Sequence, residues 1–223
     1  MNIIDILNQI EKIYPNPVTE LYYETPFQLL IAVVLSAQTT DKQVNKVTKN
    51  QGLFQKLKSP QDVIDMGYEA LKENIKTIGL YKSKAKNIYN LSKQIISIKD
   101  VSSNEERYLF DRFGYIIPDS LNEITKLDGV GEKTGKVVLS VLYNKPVVPV
   151  DTHVHRVLNR LGIVCTKTEL QTSAQIEKII PDDLKNKAHH LLILFGRYFC
   201  KSKNPKCYKC VFKEFCKYYN LKK

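Results

Sequence analysis

The chain has 223 residues, 43% hydrophobic and 26% charged, the balance of a globular protein with one large or two small domains; disorder and collagen-like repetition are excluded. Its longest apolar run, Leu29 to Leu35, falls far short of the roughly 20 residues that cross a bilayer, and Met1-Asn2-Ile3-Ile4-Asp5 is neither a basic leader nor a continuous apolar core, so a cytoplasmic protein is expected. Lys plus Arg number 34 against 23 acids, and a net charge of +11 makes nucleic acid the leading partner class. A Lys-rich genome that fills solvated faces with Lys gives a similar excess. Here, however, the charge is uneven: from Lys201 onward eight Lys face Glu214 alone, interleaved with Tyr208, Phe212, Phe215, Tyr218 and Tyr219.

The hydrophobic period is helical nearly throughout. Ile3, Ile4, Leu7, Ile10 and Ile13 share one face of a helix over 2–13, which Pro15 and Pro17 stop. Phe27 to Ala37 is apolar almost all round, as a central core helix is. Thr40 and Gln43 match a capping box and open the next helix. Further helices are predicted at about 60–76, 83–97, 119–127, 133–143, 152–161, 168–179 and 185–199, with Val147 to Val150 as the one extended candidate. The class is all-α, without internal repeats, and Asp100 to Arg112 is the most polar, insertion-like segment.

Two interhelical turns carry chemistry. In Ser120-Leu-Asn-Glu-Ile-Thr-Lys-Leu-Asp-Gly-Val-Gly-Glu-Lys-Thr-Gly-Lys-Val-Val-Leu139, Ser120 and Glu123 match a second capping box, and Gly129-Val130-Gly131 turns the chain into a new helix. This is the helix-hairpin-helix pattern, in which glycines let the backbone approach a phosphate and free N–H groups at the helix N-terminus bind it. A plain αα-turn with a C-cap glycine is the simpler alternative, against which Gly-Val-Gly followed by Lys-Thr weighs. A weaker copy lies at Thr77 to Ala85, where an ordinary loop serves equally well.

Lys133 falls in the first turn of that new helix. The positive end of the macrodipole, together with partial burial, favours a neutral amine, and a neutral amine is a nucleophile able to form a Schiff base. By itself such a lysine is more simply a phosphate contact, so it needs a partner. Asp151, in Val150-Asp151-Thr152-His153-Val154-His155, is placed as an N-cap and as a carboxylate able to stabilise a cationic sugar or act as a general base. His153, His155, His189 and His190 are packing or hydrogen-bonding residues, for want of further ligands nearby.

Of five cysteines, Cys200, Cys207, Cys210 and Cys216 follow C-x6-C-x2-C-x5-C, and Cys165 stands alone. Clustered thiols in a reducing compartment are more simply metal ligands than disulfides, and four of them satisfy a four-coordinate centre. Spacing leaves zinc and a [4Fe-4S] cluster about even. Cys165, beside Ile163 and Val164, is expected to be a buried small hydrophobe.

Taken together, Leu-Asp-Gly-Val-Gly-Glu-Lys-Thr, the later Val-Asp-Thr-His, Gly-Arg-Tyr-Phe-Cys leading into the cysteine pattern, and the early Leu-Ser-Ala-Gln-Thr-Thr-Asp resemble the endonuclease III family. That family is the iron–sulfur branch of the helix-hairpin-helix DNA glycosylases, and the resemblance runs nearly the whole chain in motif order. It implies a two-lobed fold: a six-helix barrel domain over 19–145 carrying the hairpin, and a cluster domain formed by 1–18 with 146–223. Lys133 then matches the Schiff-base lysine and Asp151 the carboxylate that supports glycosidic-bond cleavage, the two coming from different lobes to a cleft. Cys200, Cys207, Cys210 and Cys216 match the [4Fe-4S] ligands, and Gly129, Val130 and Gly131 the phosphate-gripping turn. Gln38 matches the residue that fills the hole left by an extruded base, Leu80 the wedge in the opposite strand, and Lys201, Lys203 and Lys206 a phosphate-binding loop.

The activity so implied is base excision repair: removal of oxidised pyrimidines from duplex DNA through a lysine Schiff base, then a nick by β-elimination, by a monomer that embraces the duplex. Departures from the pattern are Asp128 and Glu132 flanking the turn, which should weaken DNA binding, Gly135 in place of a usual Ala, Phe195 in place of a His, and the extra segment Asp100 to Phe113. If solvent-facing, Gly135 costs about 1 kcal/mol of helix propensity. One alternative is a monofunctional adenine glycosylase of the same fold, against which Lys133 and the end of the chain at Lys223 count. The other is a non-catalytic helix-hairpin-helix DNA-binding module with a structural zinc, which would not require both Lys133 and Asp151.

Overall fold

Helix ends are set by short-range capping. In the computed structural model, which describes residues 1–101 and 114–221, the helices are α1 (Ile3–Ile13), α2 (Pro26–Ser36), α3 (Asp41–Asn45), α4 (Leu53–Lys56), α5 (Pro60–Met66), α6 (Tyr68–Asn74) and α7 (Tyr81–Val101). They continue as α8 (Leu121–Ile124), α9 (Glu132–Tyr143), α10 (Thr152–Leu161), α11 (Glu169–Ile179), α12 (Asp182–Leu194) and α13 (Lys217–Asn220), with π turns at Lys46–Asn50 and Phe195–Phe199. Asn2, Thr25, Thr40, Ser59, Ser120, Asp151 and Thr168 each cap a following N-terminus with a side-chain oxygen, a contact worth about 1 kcal/mol apiece.

No strand occurs among the described residues, so the all-α class stands, and Val147 to Val150 runs without a strand partner. The helix expected over 60–76 is two: Gly67, at φ 79 and ψ 157, ends α5 and starts α6 in a conformation that only glycine adopts freely. The helix expected over 119–127 is cut to one turn. The chain tightens after Ile124, with Lys126 and Leu127 N–H groups donating three residues back to Glu123 and Ile124. Neither expected capping box closes fully. Gln43 turns its amide to Thr77 instead, and Glu123 accepts from the Ser120 hydroxyl rather than from its N–H. The polar segment 102–113 lies outside the described residues.

The chain divides into two units, Glu20–Tyr143 and Met1–Thr19 with Asn144–Lys223. In the first, every residue of α2 from Phe27 to Leu35 is buried, and α7 and α9 pack on it. The one amide on this helix, Gln28, is satisfied by the carbonyls of Phe54 and Leu57 and by the Glu24 N–H. In the second, α1 and α12 pack together and α10 packs on α12, burying Ile3, Ile10, Val154, Leu158, Leu192 and Phe212.

Gly135 is not solvent-facing. A Cβ there would lie 2.9 Å from Ile124 Cγ2 and 3.1 Å from a Leu121 methyl, so its absence lets α9 close on α8. Gly135→Val is therefore expected to destabilise the protein by about 1–3 kcal/mol through overpacking, read as a lower urea midpoint with unchanged slope.

Candidate functional site

The α8–α9 hairpin uses its glycines for different reasons. Gly129 has φ +78, and a Cβ on it would sit 2.7 Å from the Asn87 side chain. Gly131 meets nothing within 4 Å and has an ordinary φ, so the fold itself has no need of glycine there; what its bare Cα keeps free is space for something outside. Between them Val130 is buried and donates its N–H to Leu127. The first bond of α9 runs from Gly135 N–H to the Gly131 carbonyl, so the amides of Glu132, Lys133 and Thr134 precede the ladder, and Gly131 before them has no side chain with which to cap them. Three aligned donors at a helix N-terminus make an anion site.

Lys133 lies beside these donors and is exposed rather than partly buried. The two acids flanking the turn are already engaged. Glu132 pairs at 2.9 Å with the buried Lys136, and Asp128 accepts from Asn90 at 2.8 Å while its N–H donates to Gln94. Asn90 and Gln94 tie Asp128 to α7, and the Glu132–Lys136 pair lies within α9.

The weak copy at Thr77 to Ala85 is a true interhelical turn, joining α6 to α7. Leu80 at its tip is 60% exposed with φ 58, and Gln38, just after α2, is exposed with φ 55. Both occupy the left-handed region that costs a residue with a side chain roughly 1–2 kcal/mol. A Cβ on Gly79 would lie 3.6 Å from the Gln38 carbonyl oxygen, so the two turns stand side by side. Lys84, 5% exposed, sits behind them, and its Nζ donates to the Leu35 and Ala37 carbonyls at 2.8 and 2.6 Å and to the Thr39 hydroxyl at 3.1 Å. Burial pushes its pKa down. Sequence reading gave it no role, although it shares a face with Ile88, Leu91 and Ile95, where a lysine is out of place.

In the other unit Asp151 is buried and caps α10. Its Oδ1 accepts from the N–H groups of His153 and Val154 at 2.9 and 2.8 Å, and Oδ2 takes no part in the cap. The histidines are hydrogen-bonding residues, as expected: His155 meets Thr172, His153 meets Arg156 and His189 meets the Pro149 carbonyl. Lys133 and Asp151 belong to different units.

Four cysteines gather at the far end of α10. The π turn Phe195–Phe199 precedes Cys200, and Gly196 within it lets α10 approach, since a Cβ there would lie 2.8 Å from His153 Cβ. Cys200, Cys207, Cys210 and Cys216 line one pocket of ≈ 350 Å³, mouth included, with Leu161, Phe195, Phe199 and Tyr218. Burial raises the Cys200 pKa and pushes the Cys210 thiol up to about 11. Among the described residues no three His, Cys, Asp or Glu side chains come close enough to hold a single metal ion.

Arg160 donates to Cys200 Sγ at 3.6 Å and to the carbonyls of Lys201 and Ser202 at 2.7 and 3.0 Å; Arg156 donates to those of Cys200 and Gly196. Neither arginine was foreseen, although their i, i+4 spacing on a helix marks a shared face. The loop they anchor carries Lys201, Lys203 and Lys206, all exposed. Cys165 is exposed rather than buried: beyond the left-handed Gly162 it is Val164 that turns inward.

A model of the HhH-GPD superfamily of base excision DNA repair proteins matches residues 31–182. Endonuclease III of Rickettsia conorii is 44% identical over 97% of this chain and 98% of the relative, and that of Haemophilus influenzae 40% identical over 96% and 94%. The structure of a trapped covalent intermediate of endonuclease III with DNA, an estranged-adenine complex, superposes at a TM-score of 0.86 with 38% identity, over 100% of this chain and 99% of that one. A glycine-gated anion turn with an exposed lysine, a four-thiol pocket and these likenesses converge, and the chain belongs to the endonuclease III family of the HhH-GPD superfamily.

Proposed function

We propose that the protein is a base excision repair glycosylase and lyase that removes oxidised pyrimidines from duplex DNA, with Lys133 as nucleophile and Asp151 as its supporting carboxylate. The observation that carries the reading is the exposed Lys133 next to the open amides of Glu132, Lys133 and Thr134, a lysine beside a phosphate-sized anion site. A phosphate held by those donors and approached closely over Gly131 fixes the backbone of the damaged nucleotide, so that the Lys133 amine meets the sugar rather than bulk water. Nζ, as the neutral amine, attacks C1′ and the base departs with the glycosidic electron pair; Nζ sheds a proton, the C1′–O4′ bond opens with a proton taken up at O4′, and the protonated Schiff base so formed loses a C2′ proton and eliminates the 3′ phosphate. Asp151 supplies negative charge to the developing sugar cation while Oδ1 stays in the cap. Gln38 and Leu80 occupy the space of the extruded nucleotide and wedge the opposite strand, and Lys201, Lys203 and Lys206 neutralise phosphates.

The thiol set fits a [4Fe-4S] cluster. Burial raises the pKa of the Cys200 and Cys210 thiols, an unfavourable ionisation that binding to iron as thiolates would offset, and the spread of the four sulfurs suits a cluster better than one ion. Cys200, Cys207, Cys210 and Cys216 would hold it, and the cluster would supply iron–thiolate bonds that close the loop of Lys201 to Lys206. Covalent engagement of DNA by the structural relative, the trapped intermediate, supports the lyase reading.

Borohydride trapping on duplexes carrying thymine glycol or an abasic site tests the chemistry. Wild type is expected to crosslink to both and Lys133→Ala to neither; a wild type that binds DNA and crosslinks to neither returns the adenine-glycosylase or non-catalytic alternative. Asn caps helices as well as Asp, so Asp151→Asn should leave the thermal midpoint nearly unchanged while turnover falls by about 100-fold or more. Purified protein should show a broad visible absorption that Cys207→Ser abolishes, whereas a colourless, zinc-bearing protein overturns the cluster. Leu80→Gly relieves an exposed left-handed leucine, a gain that the entropy of glycine in the unfolded chain partly offsets, so stability should hold or rise by up to about 1 kcal/mol while activity on duplex thymine glycol drops.

A further inference from the structure

Lys84 is a cation buried in the wrong place for its own helix. It lies in the first turn of α7, where the macrodipole disfavours positive charge, and none of its hydrogen bonds goes to a carboxylate. Its three ammonium protons go instead to the carboxyl end of α2: the Leu35 carbonyl within the last turn, the Ala37 carbonyl just beyond it, and the Thr39 hydroxyl on the far side of Gln38. The chain leaves α2 at Ala37 with φ −56 and ψ 119, with no glycine to close the end, and Gln38 then takes its left-handed conformation. The backbone of Lys84 holds the other turn, since its N–H donates to the Leu80 carbonyl at 3.0 Å and makes the first bond of α7. One residue thus grips both strained positions, and positions of this kind persist only where surroundings over-determine them.

We infer that Lys84 is the positioning residue for strand insertion: its side chain clamps the Gln38 turn and its backbone the Leu80 turn, fixing the two in register as a single preformed wedge. The inference rests on the reading of Gln38 and Leu80 as inserting residues. It places no part of Lys84 on the DNA and gives it no part in the Schiff-base chemistry. Loss of the ammonium frees Ala37, Gln38 and Thr39 to relax while α7 and the hairpin amides beside Lys133 stay as they are, so the defect is in geometry at the lesion rather than in affinity.

The test uses the full chain, at saturation, on a duplex with a non-reactive tetrahydrofuran abasic site faced by 2-aminopurine, whose fluorescence rises when insertion unstacks it. Lys84→Met is expected to bind with wild-type helicity and visible absorption yet lose most of the rise, and on duplex thymine glycol to lose at least about tenfold in kcat with KM within about twofold. Gln38→Ala and Leu80→Gly serve as references. If they lose the rise and Lys84→Met keeps it, the clamp is refuted and the inserting residues stand. If neither reference nor Lys84→Met loses it, the insertion reading has failed and takes the clamp with it. Should Lys84→Met not fold, Thr39→Val, which removes only the third acceptor, decides: a partial loss of the rise supports the clamp and a full rise overturns it.

Discussion

A helix buried on every face can offer only its ends to a ligand, and its ends are where backbone groups lack partners. In the unit Glu20–Tyr143 this constraint falls on α2. From Phe27 to Leu35 each residue is buried, so the helix cannot tilt or slide without disturbing α7 and α9 together. Its carbonyls at the exit are met by a lysine reaching in from α7, and the exposed Gln38 follows within two residues of Ser36. The most deeply buried helix of the unit therefore sets the position of the exposed Gln38 turn. Rigid backing of this kind is what a side chain needs if it is to enter a base stack at the same place on every encounter.

The hairpin before α9 reaches a similar result by subtraction. Gly129, Gly131 and Gly135 lie within seven residues, and each omits a side chain for a separate reason: contact with Asn87, open space outside, and contact with Ile124 and Leu121. Two of the three absences are filled by the protein itself. Beside Gly131 alone of the three, nothing among the described residues lies within 4 Å of where a Cβ would be. Of the charges least suited to a phosphate, Glu132 is paired with Lys136, which offsets its field, while Asp128 is held by the neutral Asn90 amide and keeps its charge.

Much of this was legible in the sequence because it is local. Periodicity and capping side chains placed α1, α2, α9, α10 and α11 to within a residue or two, since a helix end depends on its nearest neighbours in the chain. The errors fall where a single residue overrides the period or where a distant partner decides. Gly67 breaks a continuous apolar pattern by its backbone angles alone, and the π turn at Phe195 follows from aromatic packing with Phe199 and Phe212. Cys165 sits in a short apolar run whose facing reverses after Gly162. Lys84, Arg156 and Arg160 stand out in the sequence only as cations at helical spacing, because what they bind, backbone carbonyls 40 or more residues away, leaves no mark in side-chain spelling.

The same long-range donors give α10 its place in the chemistry. A ten-residue helix is about 15 Å long; this one begins at the Asp151 cap and ends beside the thiol pocket. Arg156 ties the two regions. Its guanidinium reaches back to the carbonyl of Thr152, the residue after Asp151, and across to the carbonyls of Gly196 and Cys200, while Arg160 holds Cys200 Sγ and the loop that follows. Because those acceptors are main-chain atoms, the segment that would carry the cluster is registered against the backbone of the first turn of α10 rather than against replaceable side chains. A cluster that stiffens Cys200 to Cys216 thereby stiffens the turn that presents Asp151. On the proposed function, an iron–sulfur centre held there would bear on Asp151 through the backbone of this unit.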